Sequence, residues 1–468
     1  MINFIKQKLK TESYRQILLV TSLLIISKFF GLIRTAIIGS LYIGDSAIYS
    51  DIFINAQKIQ DILIGILIMG TLLSTLTPTG TKILTKDGEG EFNRYIRYNF
   101  WVFISMFLVI SIIISIFIED ILKISLRDSY IKYAELGLSN TFVDSARVLC
   151  FGVVFFAANT LFQTYLNIKN SFFWNNLTGI ISNLFIIGTL IVSPKNFVFP
   201  VSLALILSFI VSMMVHYYAA NRMGLNWSFF DLSQVKKDHK KFKTYFVQDF
   251  KNIIPKFFII QLTFVATYFV SLSKVTGYPT FYENASNIQG IFLTIIGAVG
   301  MVILPKLSLI FHKLSPEAFI KQINHYIIKL LPVTVVGSIL TALLAKYLLI
   351  FVLSVSNFKR GIWRFIEVNS SEVLQIQIIQ ILAISIIFLT INEVLVKYFL
   401  IQNKVKKLLL INTSSIILFI ILVNNLGTII KAEYILIVSI SYVIVTCLQS
   451  LIYYTSMIMD TKKLPETK

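Results

Sequence analysis

Acidic side chains are scarce. There are 23 Asp and Glu against 42 Lys and Arg in 468 residues, and only 14% of the chain is charged. With 56% hydrophobic residues and a mean hydropathy of +0.78, this excludes the soluble globular classes. The two cysteines, Cys150 and Cys447, lie far apart inside apolar runs, which excludes a disulfide framework and points to no thiol site. Four scattered histidines, His216, His239, His312 and His325, have no partners at metal-ligand spacing, so no metal is expected and solvated or interfacial roles are. Walker A, GxSxG and HExxH sequences are missing, as is a soluble loop with paired carboxylates. Neither an enzyme nor a self-contained ATP-driven pump is expected, and no cofactor is implied.

What the chain has is apolar length. Runs of about 18 or more apolar residues recur from end to end, the mark of an all-α polytopic membrane protein. Twelve spans are expected, near 16–43, 47–78, 97–118, 141–168, 172–193, 197–221, 247–273, 279–311, 320–352, 372–402, 408–425 and 432–457. The net charge of +19 would suit nucleic acid, but lysine and arginine concentrate in alternate loops, which is the positive-inside pattern; no nucleic acid is expected. The even count and the basic start place both termini in the cytoplasm of a bacterial inner membrane. The 357–371 loop, with Lys359, Arg360 and Arg364, runs against the rule. The start mimics a signal peptide, but KFFGLIRTAIIG follows without a small-residue cleavage site, so an uncleaved first span is expected.

The second span is apolar but not all round. Asp51, Asn55, Lys58, Asp61 and Gly65 fall on one stripe of a 3.6-residue helix. A lysine facing lipid costs about 2.5–3.5 kcal/mol, so the stripe should face protein or a water-filled cavity. Both a packing face and a pathway lining satisfy that. Asn55-Ala56-x-x-Ile59-Gln60 recurs as Asn284-Ala285-x-x-Ile288-Gln289, half a chain later, and Gly70 precedes Pro78 by eight residues as Gly297 precedes Pro305. A parallel internal repeat leaves such a pattern. Two pseudo-symmetric six-helix lobes around a central cavity are expected, at 1–228 and 247–468. The basic stretch between them, 229–246, alternates charge with aromatic residues and reads as an amphipathic linker on the anionic cytoplasmic leaflet.

Four cations stand deep in the first lobe: Lys28, Arg34, Lys58 and Arg147. Arg34 and Asp51 fall at similar depth and are a candidate ion pair, and Arg147 has Asp144 three residues before it. Lys28 and Lys58 are left as the better candidates for uncompensated charge. The second lobe has Glu283 and Asn284 at the outer end of span 8, and Glu393 with Lys397 as a self-neutralising i, i+4 pair. A cavity cationic on one side and apolar on the other suits an amphiphile with an anionic head and a hydrocarbon tail. Pyrophosphate is the natural head, because ammonium and guanidinium groups bind its oxygens by charge-assisted hydrogen bonds.

Ser27-Lys-Phe-Phe-Gly-Leu-Ile-Arg34 resembles the SRxxGxxRD motif of the MurJ/MviN lipid II flippases, within the multidrug/oligosaccharidyl-lipid/polysaccharide exporter superfamily. Ser50-Asp-Ile-Phe and Lys58 to Pro78 are similar to that family's DAF…K-x-P-N…EG…P stretch. Leu166-Asn167, Asn183, Pro255 and Gly300 through Ser308 also fit. The sequence departs from the family at Ile64 and Ala285, where the family has arginines, at Met69, where it has an acid, and at Gln60-Asp61, where it has Pro-Asn. It has twelve spans, where the family usually has two more. The resemblance implies two six-helix lobes and puts Lys28, Arg34, Asp51 and Lys58 on family cavity or motif positions.

The expected function is a flippase for a polyprenyl-pyrophosphate-linked saccharide, foremost the peptidoglycan precursor lipid II, working by alternating access. Lys28, Arg34, Lys58 and Arg147 are the candidate pyrophosphate ligands. Asp51, Asn55, Asp61, Glu283 and Asn284 are the candidate cavity or coupling groups, with Na+ or H+ as coupling ion left open. Gly65, Gly70, Pro78, Gly297, Gly300 and Pro305 are the candidate hinges. Membrane lipids and cell-wall synthesis proteins are the other partners considered. An exporter of O-antigen or capsule units, a transport-inactive scaffold of cell-wall synthesis and a drug/cation antiporter are the alternatives; the antiporter would want carboxylates where these cations stand.

Overall fold

In a computed structural model, the described residues are 19–34, 37, 47–64, 72–169, 171–175, 177–192, 198–225, 237–247, 262–273, 275, 277–293, 316–354, 370–402, 404–429 and 433–461. In chain order the helices are α1 (19–34), α2 (Ala47–Ile64), α3 (Leu72–Lys86), α4 (Glu89–Ile116), α5 (Ile118–Ser125), α6 (Arg127–Glu135), α7 (Ser139–Ile168), α8 (Phe172–Asn175) and α9 (Thr178–Val192). There follow α10 (Val198–Arg222), α11 (237–247), α12 (Leu262–Ser271), α13 (278–293), α14 (Pro316–Leu343), α15 (Ala345–Ser354), α16 (Ser370–Ile401), α17 (Val405–Ile429) and α18 (Tyr434–Thr461). Among the described residues there is no strand, and seven helices are long and apolar enough to cross a membrane: α4, α7, α10, α14, α16, α17 and α18. The protein is an all-helical polytopic membrane protein, and each of the twelve expected spans overlaps described helix. The hinge positions Gly65, Gly70, Gly297, Gly300 and Pro305 lie outside the described residues; Pro78 falls within α3.

Two compact units divide the chain, and they are not the sequential halves. One comprises Leu41–Ile260 with Ser271–Gly277; the other comprises Met1–Ser40, Gln261–Val270 and Tyr278–Lys468. We call them the N-terminal and C-terminal units. Helix α1 groups with the second half because Leu32 sits in an apolar core with Tyr282, Ala285, Leu382 and Tyr442. The compact units thus group α1 with the second half of the chain, where the sequence reading has it in 1–228.

Helix α7 is the centre of the N-terminal unit, packed by α2, α3, α4 and α10. Two thirds of its most apolar stretch is buried, and it is apolar all round, as an enclosed helix must be. Gly80 of α3 lets α4 and α7 close in: a Cβ there would stand 2.7 Å from Ile168 Cδ1 and 3.0 Å from Phe92. The connections are set by backbone chemistry. Gly137 (φ 71°) and Gly224 (φ 101°) take the left-handed conformation after α6 and α10. Each is flanked by the paired bonds of a Schellman stop: Leu138 N–H to Tyr133 O at 2.7 Å and Gly137 N–H to Ala134 O at 3.0 Å; Leu225 N–H to Ala220 O at 3.0 Å and Gly224 N–H to Asn221 O at 3.1 Å.

In the C-terminal unit α16 packs between α14 and α18, and α17 lies on α18. Its interior joins apolar residues to an amide network: Asn392 Nδ2 donates to Gln449 Oε1 (3.1 Å), and Gln449 Nε2 donates to Asn412 Oδ1 (2.7 Å). Ser450 and Tyr453 hydroxyls donate to Asn392 and Asn412 at 2.8 and 3.0 Å. Side-chain polar groups in a membrane interior satisfy each other in this way because lipid offers no partner. Pro332 stands inside α14. It has no N–H to donate, so α14 has a built-in bend site that the sequence reading did not single out.

Candidate functional site

Of the polar stripe of α2, Asp51, Asn55 and Lys58 are buried and Asp61 is half-buried, and its members do different things. Asp51 is 1% exposed and accepts the Gly277 N–H at 2.8 Å. Asn55 donates to the Tyr133 hydroxyl at 2.8 Å and to Ser129 Oγ at 3.4 Å, and Ser129 in turn donates to Ser271 O at 2.9 Å. These two residues fasten α6 and the 271–277 segment onto α2. Both are among the expected cavity or coupling groups, and these hydrogen bonds are what the structure gives them. Around them, burial and the charge of Asp51 push the Tyr133 phenol far above its ordinary value. Burial pulls the Lys132 ammonium down, against the opposing pull of Asp51.

Lys58 is different. It is 6% exposed and forms no ion pair or hydrogen bond among the described residues. Two residues on, Gln60 lies against Gly152 of α7, where a Cβ would meet its Nε2 at 2.3 Å. Both amide atoms of Gln60 are buried without a hydrogen-bond partner among the described residues. The close approach of α2 to α7 depends on that glycine.

Lys28 on α1 belongs to the C-terminal unit and is likewise without an ion pair or hydrogen bond among the described residues. Its ammonium rests on Gly290 of α13: a Cβ at 290 would stand 3.1 Å from Nζ and 3.7 Å from Cε. Glu283 attracts it and Arg34 repels it at longer range. On the same helix Glu283 accepts from Asn287 at 3.4 Å, and Asn284 donates to Gln375 Oε1 at 3.3 Å. Lys28, Arg34, Glu283 and Asn284 thus share one unit, while Asp51, Asn55, Lys58, Asp61 and Arg147 share the other.

Arg147 is not a partnerless cation. Its Nη1 pairs with Asp144 at 2.9 Å, and its Nε approaches Ser115 O at 3.4 Å. The i, i+3 spacing on α7 brings the carboxylate to it, so it is neutralised locally rather than held open for an anion. Asp61 accepts from Gln57 at 3.2 Å within α2. Lys397 pairs with Glu393 at 2.7 Å. His216, expected to be solvated or interfacial, is fully buried instead. Its two ring nitrogens face the carbonyl oxygens of Ser212, at 2.6 Å, and Trp174, so it ties the α8 turn to α10. Gly290 and Gly152 escaped the sequence reading because a glycine's role as a seat for another helix's side chain has no local signature.

Lys58 is buried and Lys28 half-buried, and ammonium groups that form no ion pair or hydrogen bond among the described residues are costly inside a membrane protein. They are what an anionic ligand would compensate. A family model for the lipid II flippase MurJ matches residues 40–466. The chain belongs to the MurJ lipid II flippase family. Its fold is also found in solved structures at low identity. A lipid II flippase MurJ in an inward closed conformation superposes with a TM-score of 0.69 at 17% identity, over 96% of this chain and 88% of that one. A MATE transporter in complex with MaL6 gives 0.68 at 11% identity, over 97% and 98%. A MOP superfamily transporter from Pyrococcus furiosus, described by a reversed polarity of its binding pocket, gives 0.63 at 11%, over 97% of each chain. The search of curated proteins found no match. Membership of the MurJ family makes this a transporter-type membrane protein and associates it with peptidoglycan biosynthesis.

Proposed function

We propose that the protein flips a polyprenyl-pyrophosphate-linked saccharide across the bacterial inner membrane, with lipid II as the leading substrate, and that both termini lie in the cytoplasm. The observation that carries this is that Lys28 and Lys58, in a member of the MurJ family, form no ion pair or hydrogen bond among the described residues. In the proposed cycle the diphosphate head is held by cationic side chains, with Lys28, Arg34 and Lys58 as the candidates, and access alternates from one side of the membrane to the other. Charge-assisted contacts to phosphate oxygens repay part of the desolvation of both partners. Binding alone moves nothing: the ligand must favour the occluded state over the open ones. Asp51 and Arg147 play no direct part in holding the head, since one anchors Gly277 and the other is paired with Asp144.

The test is rescue of a bacterium depleted of its own lipid II flippase. The wild-type chain is expected to restore growth, and Lys28→Ala and Lys58→Ala to abolish or sharply reduce it at equal membrane expression. Well-expressed wild-type protein that fails to rescue would move the substrate to another lipid-linked saccharide or leave a transport-inactive scaffold. Rescue that survives both substitutions would remove the cationic head-group site.

A further inference from the structure

Helix α11 was expected to lie on the leaflet by its aromatic side, and that side is already occupied. Phe242 packs against Tyr95 and Tyr98 of α4 with ring centroids 5.8 and 6.1 Å apart, and Phe246 against Tyr98 and Phe103 at 6.1 and 5.6 Å. Between them sits a clasp. Asp238 is fully buried, with Arg94 Nη2 at 2.7 Å from one carboxylate oxygen and Arg97 Nη2 at 2.8 Å from the other. The neighbouring His239 ring meets the Tyr98 hydroxyl at 3.0 Å. The clasp fixes which side of α11 faces out, and that side is basic: Lys237, Lys240, Lys241 and Lys243 are all exposed. Lys241 pairs with Glu91 at 2.7 Å. Lys237, Lys240 and Lys243 have no ion pair or hydrogen bond among the described residues.

These three ammonium groups span about 9 Å along the helix. The helix they stand on is docked to residues 94–103 of α4, the start of a helix long and apolar enough to cross a membrane. The face is therefore at head-group depth, on the side where positive charge accumulates. We propose that the outward face of α11 binds the phosphate groups of anionic phospholipids by charge alone. An amphipathic helix ordinarily combines apolar insertion with electrostatic attraction; here α4 has taken the apolar part. Binding should then be stripped by salt, and each lysine should contribute about fivefold in affinity. This surface is separate from the Lys28 and Lys58 site and does not depend on the substrate.

The test reconstitutes the full chain with a photoactivatable phosphatidylglycerol, or with its phosphatidylcholine counterpart, and maps adducts on the 237–247 peptide. Wild-type protein is expected to give phosphatidylglycerol adducts that fade as salt rises. The triple variant Lys237→Gln, Lys240→Gln, Lys243→Gln should lose them on the order of a hundredfold, and the triple Lys→Arg variant should keep them. Unchanged melting of both variants would show that the Asp238 clasp still docks the helix. Equal labelling by the zwitterionic lipid, labelling indifferent to salt in the wild type, or no adducts on α11 would each overturn the proposal; the last would assign the lysine face to an acidic protein segment. The wild-type salt series decides even where the glutamine variant fails to fold.

Discussion

Among the described residues neither Lys28 nor Lys58 forms an ion pair, but their surroundings differ. Lys58 is buried, whereas Lys28 is half-buried and rests on the bare backbone of Gly290. Gly290→Ala would place a methyl group 3.1 Å from the ammonium, which has to shift by a few tenths of an ångström. If Lys28 holds a diphosphate, binding of a lipid-linked diphosphate to the purified chain should weaken several-fold in Gly290→Ala, and the same change should do nothing in a Lys28→Ala background. Equal losses in both backgrounds would show that Gly290 serves packing alone. The sequence made Lys28 visible because no acid lies three or four residues away on its own helix, and made Arg147 visible as a pair because Asp144 does; Lys58 has Asp61 three residues on, but no ion pair joins them. The bond Asp51 makes was illegible: it accepts a backbone N–H from Gly277, 226 residues on, and no local spacing announces such a contact.

At the scale of the helix, the repeated Asn-Ala-x-x-Ile-Gln segment is used alike in α2 and α13. Asn55, Ala56, Ile59 and Gln60 are buried in one unit, and Asn284, Ala285, Ile288 and Gln289 in the other. Gln289 has what Gln60 lacks, since its Nε2 donates to Leu382 O at 3.1 Å and to Ser385. The repeat was readable because a 3.6-residue period puts these positions on one side. The short helices α5 and α6 were not, because the expected outer segment 119–140 carries too little apolar periodicity to declare them. Helix α6 matters for the fold through Tyr133. Tyr133→Phe should cost about 1–3 kcal/mol, the loss expected when a buried amide is deprived of its strongest partner, leaving Asn55 Nδ2 only the 3.4 Å contact to Ser129. Thermal melting in detergent measures it; a melt indistinguishable from wild type would mean that α6 is held by apolar packing alone.

For the whole molecule, an all-helical polytopic architecture and the family were legible in apolar run length and in the Ser27–Arg34 and Ser50–Pro78 segments. The grouping of α1 with the second half was not, because the contacts that decide it, such as Leu32 with Tyr282 and Ala285, join positions about 250 residues apart. The direct measurement is flipping in proteoliposomes that hold the purified chain and a lipid-linked diphosphate saccharide, read as the fraction that becomes accessible to an impermeant reagent over time. Anion binding by the two partnerless lysines requires that wild-type protein speeds this exposure and that the folded Lys28→Ala, Lys58→Ala double variant falls to the rate of empty vesicles. A double variant that flips as fast as wild type would contradict it.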